Sequence, residues 1–139
     1  MKRLLILLLS LGILIAPSIK ADTVLYCQSE LATGFSKTSG SWKEMNFSFK
    51  KYTIKFNDDY SRVTGMPDYD ENLSMECETP YSVINKPHLI YCVHSGHSNS
   101  TLRYNTKTKR FVHYFQPYKG YIGNGTDTDV LYAGNCKIF

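Results

Sequence analysis

Tyr52-Thr53-Ile54-Lys55-Phe56, followed by Asn57-Asp58-Asp59, is the stretch of sequence that decides the fold. Apolar and polar residues alternate through residues 52–56, so the apolar side chains point to one face and Thr53 and Lys55 to the other. The three residues after them have the composition of a tight turn, and Arg62-Val63-Thr64-Gly65 resumes the strand pattern. The sequence therefore predicts a β-hairpin with one face in the core.

The same two-residue alternation continues along the chain, and no long helical pattern competes with it. Ser41 to Phe49 is ambiguous, because Trp42 and Met45 fit a helical face whereas Phe47 and Phe49 fit a strand. The strand pattern occurs at Val24 to Cys27, 52–56, 62–65, Leu73 to Cys77, Leu89 to Val93, Thr101 to Tyr104, Arg110 to Gln116 and Val130 to Cys136. Seven to eight short strands joined by turns predict an all-β fold, either a single antiparallel β-barrel or a β-sandwich.

Residues 1–21 have the features of a secretory signal peptide. Lys2 and Arg3 precede an apolar run from Leu4 to Ala16, and Ile19-Lys20-Ala21 provides a small-residue cleavage site. The apolar run is shorter than the ~20 residues that a membrane-spanning helix needs. We therefore expect residues 22–139 to form a single exported domain, periplasmic or secreted, with no membrane insertion once the leader is removed.

The charge of this domain argues against nucleic acid as a partner. Of the 16 basic residues, Lys2, Arg3 and Lys20 leave with the leader, so 13 remain against 12 acidic residues and the net charge falls from +4 to +1. A nucleic-acid surface normally carries a concentrated excess of Lys and Arg. The short basic runs Lys50-Lys51 and Lys107 to Arg110 lie beside turn residues and fit solvated strand ends.

Four cysteines predict two disulfides. Cys27, Cys77, Cys92 and Cys136 follow the leader, and an even number in a small exported domain indicates a disulfide framework. The sequence has no close Cys-x-x-Cys pair, which is the usual mark of a zinc site. Among three possible connectivities we favour Cys27–Cys136 with Cys77–Cys92. The second pair brackets a strand-turn-strand segment, and the first ties the opening strand to the closing one.

Short strand and turn motifs follow one another along the domain. They are Thr33-Gly34-Phe35, residues 52–59, Val63-Thr64-Gly65, Leu102-x-Tyr104-Asn105-x-x-Thr108-x-Arg110-Phe111, Gly120-Tyr121 and Ala133-Gly134-x-Cys136-x-x-Phe139. In this order they resemble small exported, disulfide-containing all-β proteins of Gram-negative bacteria that have no assigned function. The resemblance implies the fold and no catalytic residue. Size and disulfide plan are also similar to periplasmic lysozyme inhibitors of the small-barrel type, but their Ser-Gly-x-x-Tyr loop is matched neither at Ser39-Gly40 nor at Ser95-Gly96.

Histidines offer one route to catalysis. His94 and His97 lie in a polar loop, and His113 lies on a predicted strand that can run alongside that loop. Three imidazoles can hold Zn²⁺ with an open position for water, so a small metal-dependent hydrolase is the alternative function. The spacing is looser than His-x-x-x-His on a helix, and no Gly-x-Ser-x-Gly elbow or phosphate loop occurs in the sequence.

Tyrosines favour a binding surface instead. The chain has 11 tyrosines, and Tyr114, Tyr118 and Tyr121 lie close together in its last third. Tyrosine is enriched where one end of the ring is packed and the other is wet, as at interfaces, although β-strands also favour it. We expect these three residues to line a site for a protein, a glycan or a small ligand. A non-enzymatic exported binding module that needs no cofactor is therefore the favoured function.

The leader can be tested directly. We expect the exported protein to begin at Asp22, because the Ile-x-Ala cleavage site immediately precedes this residue. N-terminal sequencing and the intact mass of protein recovered from the exported fraction measure the start of the chain. A mature chain that retains Leu4 to Ala16, or that carries lipid on Cys27, would contradict this expectation.

Overall fold

Nine β-strands form the described part of the computed structural model, which covers residues 21–66, 74–78, 88–95 and 98–139. Strands β1 and β3 to β9 pair antiparallel in chain order, and β9 returns to pair with β1, so these eight strands close a barrel. β2 is an extra strand beside β1. The strand bounds are β1 Thr23–Thr38, β2 Ser41–Asn46, β3 Lys51–Phe56, β4 Arg62–Thr64, β5 Ser74–Glu78, β6 Leu89–Ser95, β7 Ser98–Asn105, β8 Arg110–Pro117 and β9 Asp129–Ile138. The all-β prediction is confirmed, in its barrel form.

The barrel interior is filled by the residues that the alternation places on one face. In β3, Tyr52, Ile54 and Phe56 are buried, while the residues between them are exposed. Residues that lie opposite one another on neighbouring strands share a face, so this buried row continues around the barrel. The core contains Leu25, Ala32, Tyr52, Ile54, Phe56, Val63, Met66, Met75, Ile90, Leu102, Tyr104, Phe111, Val130, Tyr132 and the four cysteines.

Both disulfides join residues that lie directly opposite each other on neighbouring strands. Cys27 on β1 is bonded to Cys136 on β9, with Cα atoms 4.0 Å apart. Cys77 on β5 is bonded to Cys92 on β6, with Cα atoms 3.9 Å apart. The expected connectivity is confirmed. Two bridges in a small domain are typical of proteins that fold in an oxidising compartment outside the cytoplasm.

Strand β1 is longer than the sequence pattern predicts, and it changes partners halfway. Residues 23–28 pair with β3, and residues 33–38 pair with β2. β9 runs along both halves, from the pair Leu25–Ile138 to the pair Phe35–Asp129. Residues 33–38 of β1 therefore extend beyond the end of β3 and form a hairpin with β2.

A β-bulge separates the two halves of β1. The register with β9 shifts between Ser29 and Leu31, so Glu30 and Leu31 are both exposed although they are consecutive. Gly134 lies opposite this point, where a Cβ atom would be 2.1 Å from the carbonyl oxygen of Gln28. Only glycine permits the two backbones to approach so closely here.

The ambiguous segment Ser41 to Phe49 begins as a strand. Ser41–Asn46 forms β2, and the next four residues have no regular structure. Ser39 and Gly40 turn the chain between β1 and β2 with φ values of 53° and 81°, as the favoured two-residue hairpin turns require. Phe47 then packs against the core. Within the described residues no helix has the length and hydropathy needed to cross a membrane.

Loss of the Cys27–Cys136 bridge is expected to destabilise the domain more than loss of Cys77–Cys92. The bonded residues are 109 and 15 positions apart, respectively. Loop-closure entropy grows with this separation, from about 3 kcal/mol for the short loop to nearly 5 kcal/mol for the long one. Denaturant unfolding of the two double-alanine variants, Cys27→Ala/Cys136→Ala and Cys77→Ala/Cys92→Ala, measures the difference. An equal loss, or a larger loss for the short loop, would contradict this ranking.

Candidate functional site

The loop between β8 and β9, residues 118–128, carries two of the three tyrosines expected at a binding site. Tyr118 exposes 78% of its surface and Tyr121 exposes 55%. Ile122, which the sequence did not single out, exposes 79%. Side chains that are this exposed make few contacts with their own chain, so Tyr118 and Ile122 project from the barrel. Several exposed apolar groups within one short loop are a candidate interaction site.

Tyr121 packs against two aromatic residues of the β1–β2 hairpin. Its ring centroid lies 5.4 Å from that of Trp42 in an edge-on arrangement and 6.1 Å from that of Phe35. Aromatic pairs at these distances are favourable beyond the area they bury. We refer to Phe35, Trp42, Tyr118, Tyr121 and Ile122 together as the aromatic surface.

Hydrogen bonds give this loop a defined backbone. The N–H of Gly120 donates to the Pro117 carbonyl at 2.9 Å, and the N–H of Asn124 donates to the Tyr121 carbonyl at 3.1 Å. The ammonium group of Lys37 on β1 donates to both the backbone and the side-chain oxygen of Asn124 at 3.4 Å. The loop is thus tied to itself and to the hairpin, which holds the aromatic surface in one arrangement.

Asp129, the first residue of β9, contacts the loop from its buried side. Its carboxylate is buried, and Oδ2 accepts a hydrogen bond from the backbone N–H of Tyr121 at 3.3 Å. A Cβ atom at Gly120 would lie 2.1 Å from Oδ1, so glycine is required for the loop to close over this carboxylate. Burial raises the pKa of Asp129, and the Tyr121 amide opposes that shift. Asp129 therefore positions the residue at the centre of the aromatic surface.

Tyr114 lies apart from the two loop tyrosines, on the outer face of β8. It is half-buried between Thr101 on β7 and Leu131 on β9, its partners in register. Burial raises the pKa of Tyr114, and the nearby Asp129 carboxylate adds to the shift. The structure therefore brings Tyr118 and Tyr121 into one loop and leaves Tyr114 on the adjoining sheet face.

His113 lies inside the barrel and is fully buried. Its Nε2 atom is 2.8 Å from Oγ of Ser100, and that hydroxyl donates to the Tyr114 carbonyl at 3.2 Å. The tautomer decides which of Nε2 and Oγ donates in this pair, and Nδ1 has no hydrogen-bond partner among the described residues. Burial lowers the pKa of His113 to about 4, so the ring is neutral at pH 7. Ser100 is itself buried beside this imidazole, so its hydroxyl is not exposed as the nucleophile of an open active site would be.

The hypothetical metal triad is only partly placed. His94 lies on β6 opposite Ser100 in register, and His113 stacks against Tyr132 with centroids 6.1 Å apart. His97 lies outside the described residues. Within the described ranges no three His, Cys, Asp or Glu side chains form a group that could hold a metal ion. The hydrolase therefore stays a sequence-based hypothesis.

Fold and site together define the class: a small disulfide-bonded β-barrel with a structured aromatic loop at one end. Comparison of the chain with protein-family models, with curated proteins and with solved structures found no match.

Acidification is expected to destabilise the domain through His113. The pKa of this residue is about 4 in the folded domain, against about 6.5 in an unfolded chain. Between about pH 4 and pH 6.5, His113 therefore binds a proton in the unfolded chain but not in the folded domain. Stability from this group is therefore fully present above about pH 6.5 and falls by roughly 1.4 kcal/mol per pH unit toward pH 4.

Denaturant unfolding of wild type and His113→Gln at about pH 7, 6 and 5 measures this effect. His88→Gln, at an exposed histidine, is the matched control. We expect a shallower pH dependence for His113→Gln than for the other two proteins. Parallel pH dependences in all three would show that His113 is not a buried neutral group.

Proposed function

We propose that this protein is a non-enzymatic exported binding module that recognises another protein through the aromatic surface. The observation that carries the proposal is the exposure of Tyr118 and Ile122 on a loop whose backbone is fixed. The two disulfides support an exported location, as does the signal-like sequence of residues 1–21.

The shape of the aromatic surface favours a protein partner over a small ligand. Small-molecule sites are concave and bury most of the ligand. Tyr118 and Ile122 instead project, with 78% and 79% of their surfaces free, so the partner has to supply the pocket. A branched aliphatic side chain such as Ile122 fits the apolar pockets of proteins better than the hydroxyl-rich surface of a glycan.

The rigidity of the loop favours tight binding. A segment that already has its bound conformation loses little conformational entropy on association. The hydrogen bonds from Lys37 to Asn124 and from the Tyr121 amide to Asp129 already fix the loop conformation in the unbound protein. Tyrosine and tryptophan are also the residues most enriched among those that dominate interface energies. Trp42 and Tyr121, in edge-on contact, therefore extend the contact area beside the projecting residues.

Ile122→Ala and Tyr118→Ala are expected to weaken partner binding by about tenfold or more, because both remove side chains that would fill a pocket. Each should change the free energy of unfolding by less than about 1 kcal/mol, as substitutions at exposed positions do. Tyr121→Ala should stay within about 1 kcal/mol too, although it loses two ring contacts. If Tyr118→Ala and Tyr121→Ala both unfold the domain, these tyrosines are core residues and the proposal is wrong.

The partner can be found by placing a photo-crosslinking amino acid at residue 118 or 122 in cells that export the protein. Residue 107, in the exposed turn between β7 and β8, is the control position at the opposite end of the barrel. We expect one protein to be crosslinked from 118 and 122 and not from 107. After purification, that protein should bind wild type and lose affinity for Ile122→Ala. Absence of crosslinks from the loop, or an affinity that Ile122→Ala leaves unchanged, contradicts the proposal.

A further inference from the structure

A groove of about 600 Å³ runs over the outer face of strands β1, β9, β8 and β7. Its floor is an apolar row of residues that lie opposite one another in register: Leu31, Ala133 and Val112. The outward face of an antiparallel sheet in water is normally polar, so an apolar row there calls for an explanation. The groove is a separate feature, because none of the five residues of the aromatic surface lines it.

The β-bulge in β1 is what brings Leu31 to this face. In a regular strand Leu31 would follow the outward Glu30 and point into the core. The extra residue instead turns Leu31 outward, where it exposes 65% of its surface. Bulges commonly re-aim a side chain next to a functional site. The cost of exposing a leucine is explained if a ligand covers it.

Two arginines border the apolar row on the side of β7 and β8. Arg103 lies opposite Val112 in register, and Arg110 lies two residues before Val112 on the same face. Neither guanidinium group forms an ion pair with any residue in the described ranges. Arg103 lies 5.5 Å above the ring of Tyr91, which orients the guanidinium group without neutralising its charge.

The opposite rim of the groove is acidic. The Glu30 carboxylate accepts a hydrogen bond from the Asn135 side chain at 2.6 Å, which holds it in place on the β1 side. Arg103 on β7 lies at the far end of the apolar row from Glu30 on β1. Arg110 on β8 lies opposite Asn135 in register, so β9 separates it from Glu30. An anionic group placed in the groove would be repelled by Glu30 and attracted by Arg103 and Arg110.

We propose that this groove binds an alkyl carboxylate, that is, a single apolar chain with an anionic head. The alkyl chain covers Leu31, Ala133 and Val112, and the carboxylate is held by Arg103 and Arg110. Guanidinium groups bind carboxylates through paired N–H donors, and the charge of Glu30 fixes the direction in which the chain lies. The volume of about 600 Å³ is in the range of small-ligand sites.

Two probes of equal chain length and opposite charge test this proposal. Dodecanoate and dodecyltrimethylammonium are titrated into the oxidised protein by calorimetry, below the concentrations at which either forms micelles. We expect dodecanoate to bind at least about tenfold more tightly than the cationic probe. Arg103→Gln, Arg110→Gln and Leu31→Asn should each weaken dodecanoate binding by about fivefold or more.

Lys43→Gln is the matched control, since it removes one exposed positive charge from β2, outside the groove. It should leave dodecanoate affinity unchanged, and thermal unfolding confirms that every variant folds. Equal binding of the two probes, no binding of dodecanoate, or an affinity that both arginine variants leave unchanged overturns the proposal. Binding of a short oligoglutamate peptide in place of dodecanoate also overturns it and indicates an acidic peptide partner instead.

Discussion

The pairing of β1 with β9 is the constraint on which the rest of the structure depends. It closes the barrel from Leu25–Ile138 at one end to Phe35–Asp129 at the other. The Cys27–Cys136 disulfide crosslinks the two strands near the Leu25–Ile138 end. The pair Leu31–Ala133, next to the bulge, forms the floor of the groove together with Val112. At the Phe35–Asp129 end, the Asp129 carboxylate accepts a hydrogen bond from the backbone N–H of Tyr121 in the β8–β9 loop. Both proposed surfaces therefore lie along this one seam, and a shift in its register would misplace both.

Sequence alone was enough for the features that depend on neighbouring residues. The alternation of Tyr52, Ile54 and Phe56 is a local pattern, and it correctly predicts which side of β3 is buried. The favoured disulfide connectivity, one of the three that the sequence allows, rests instead on the order of strands along the chain, and the structure confirms it. Both faces of β8 carry apolar residues, so alternation alone does not tell which face is inward, and the structure places Val112 and Tyr114 on the outer face.

The contacts that build the aromatic surface could not be predicted, because they join distant parts of the chain. Phe35 and Trp42 meet Tyr121 only after β9 has brought its loop beside the hairpin, and no local pattern encodes this. The bulge was missed for a related reason. A one-residue shift inverts the direction of every following side chain, and the sequence around Glu30 has no alternation that would reveal it.

The described core explains why function should lie on the outside of this barrel. Tyr52 on β3 packs against Phe111 on β8, and Phe56 packs against Tyr104 on β7, each with centroids 5.6 Å apart. These strands are not neighbours in the sheet, so the rings meet across the interior. The interior of an eight-stranded barrel holds either its own side chains or one small ligand, and in the described part of this barrel these aromatic rings occupy it. A ligand inside would have to displace core residues, whereas Leu31, Tyr118 and Ile122 are apolar groups whose exposure folding alone does not explain.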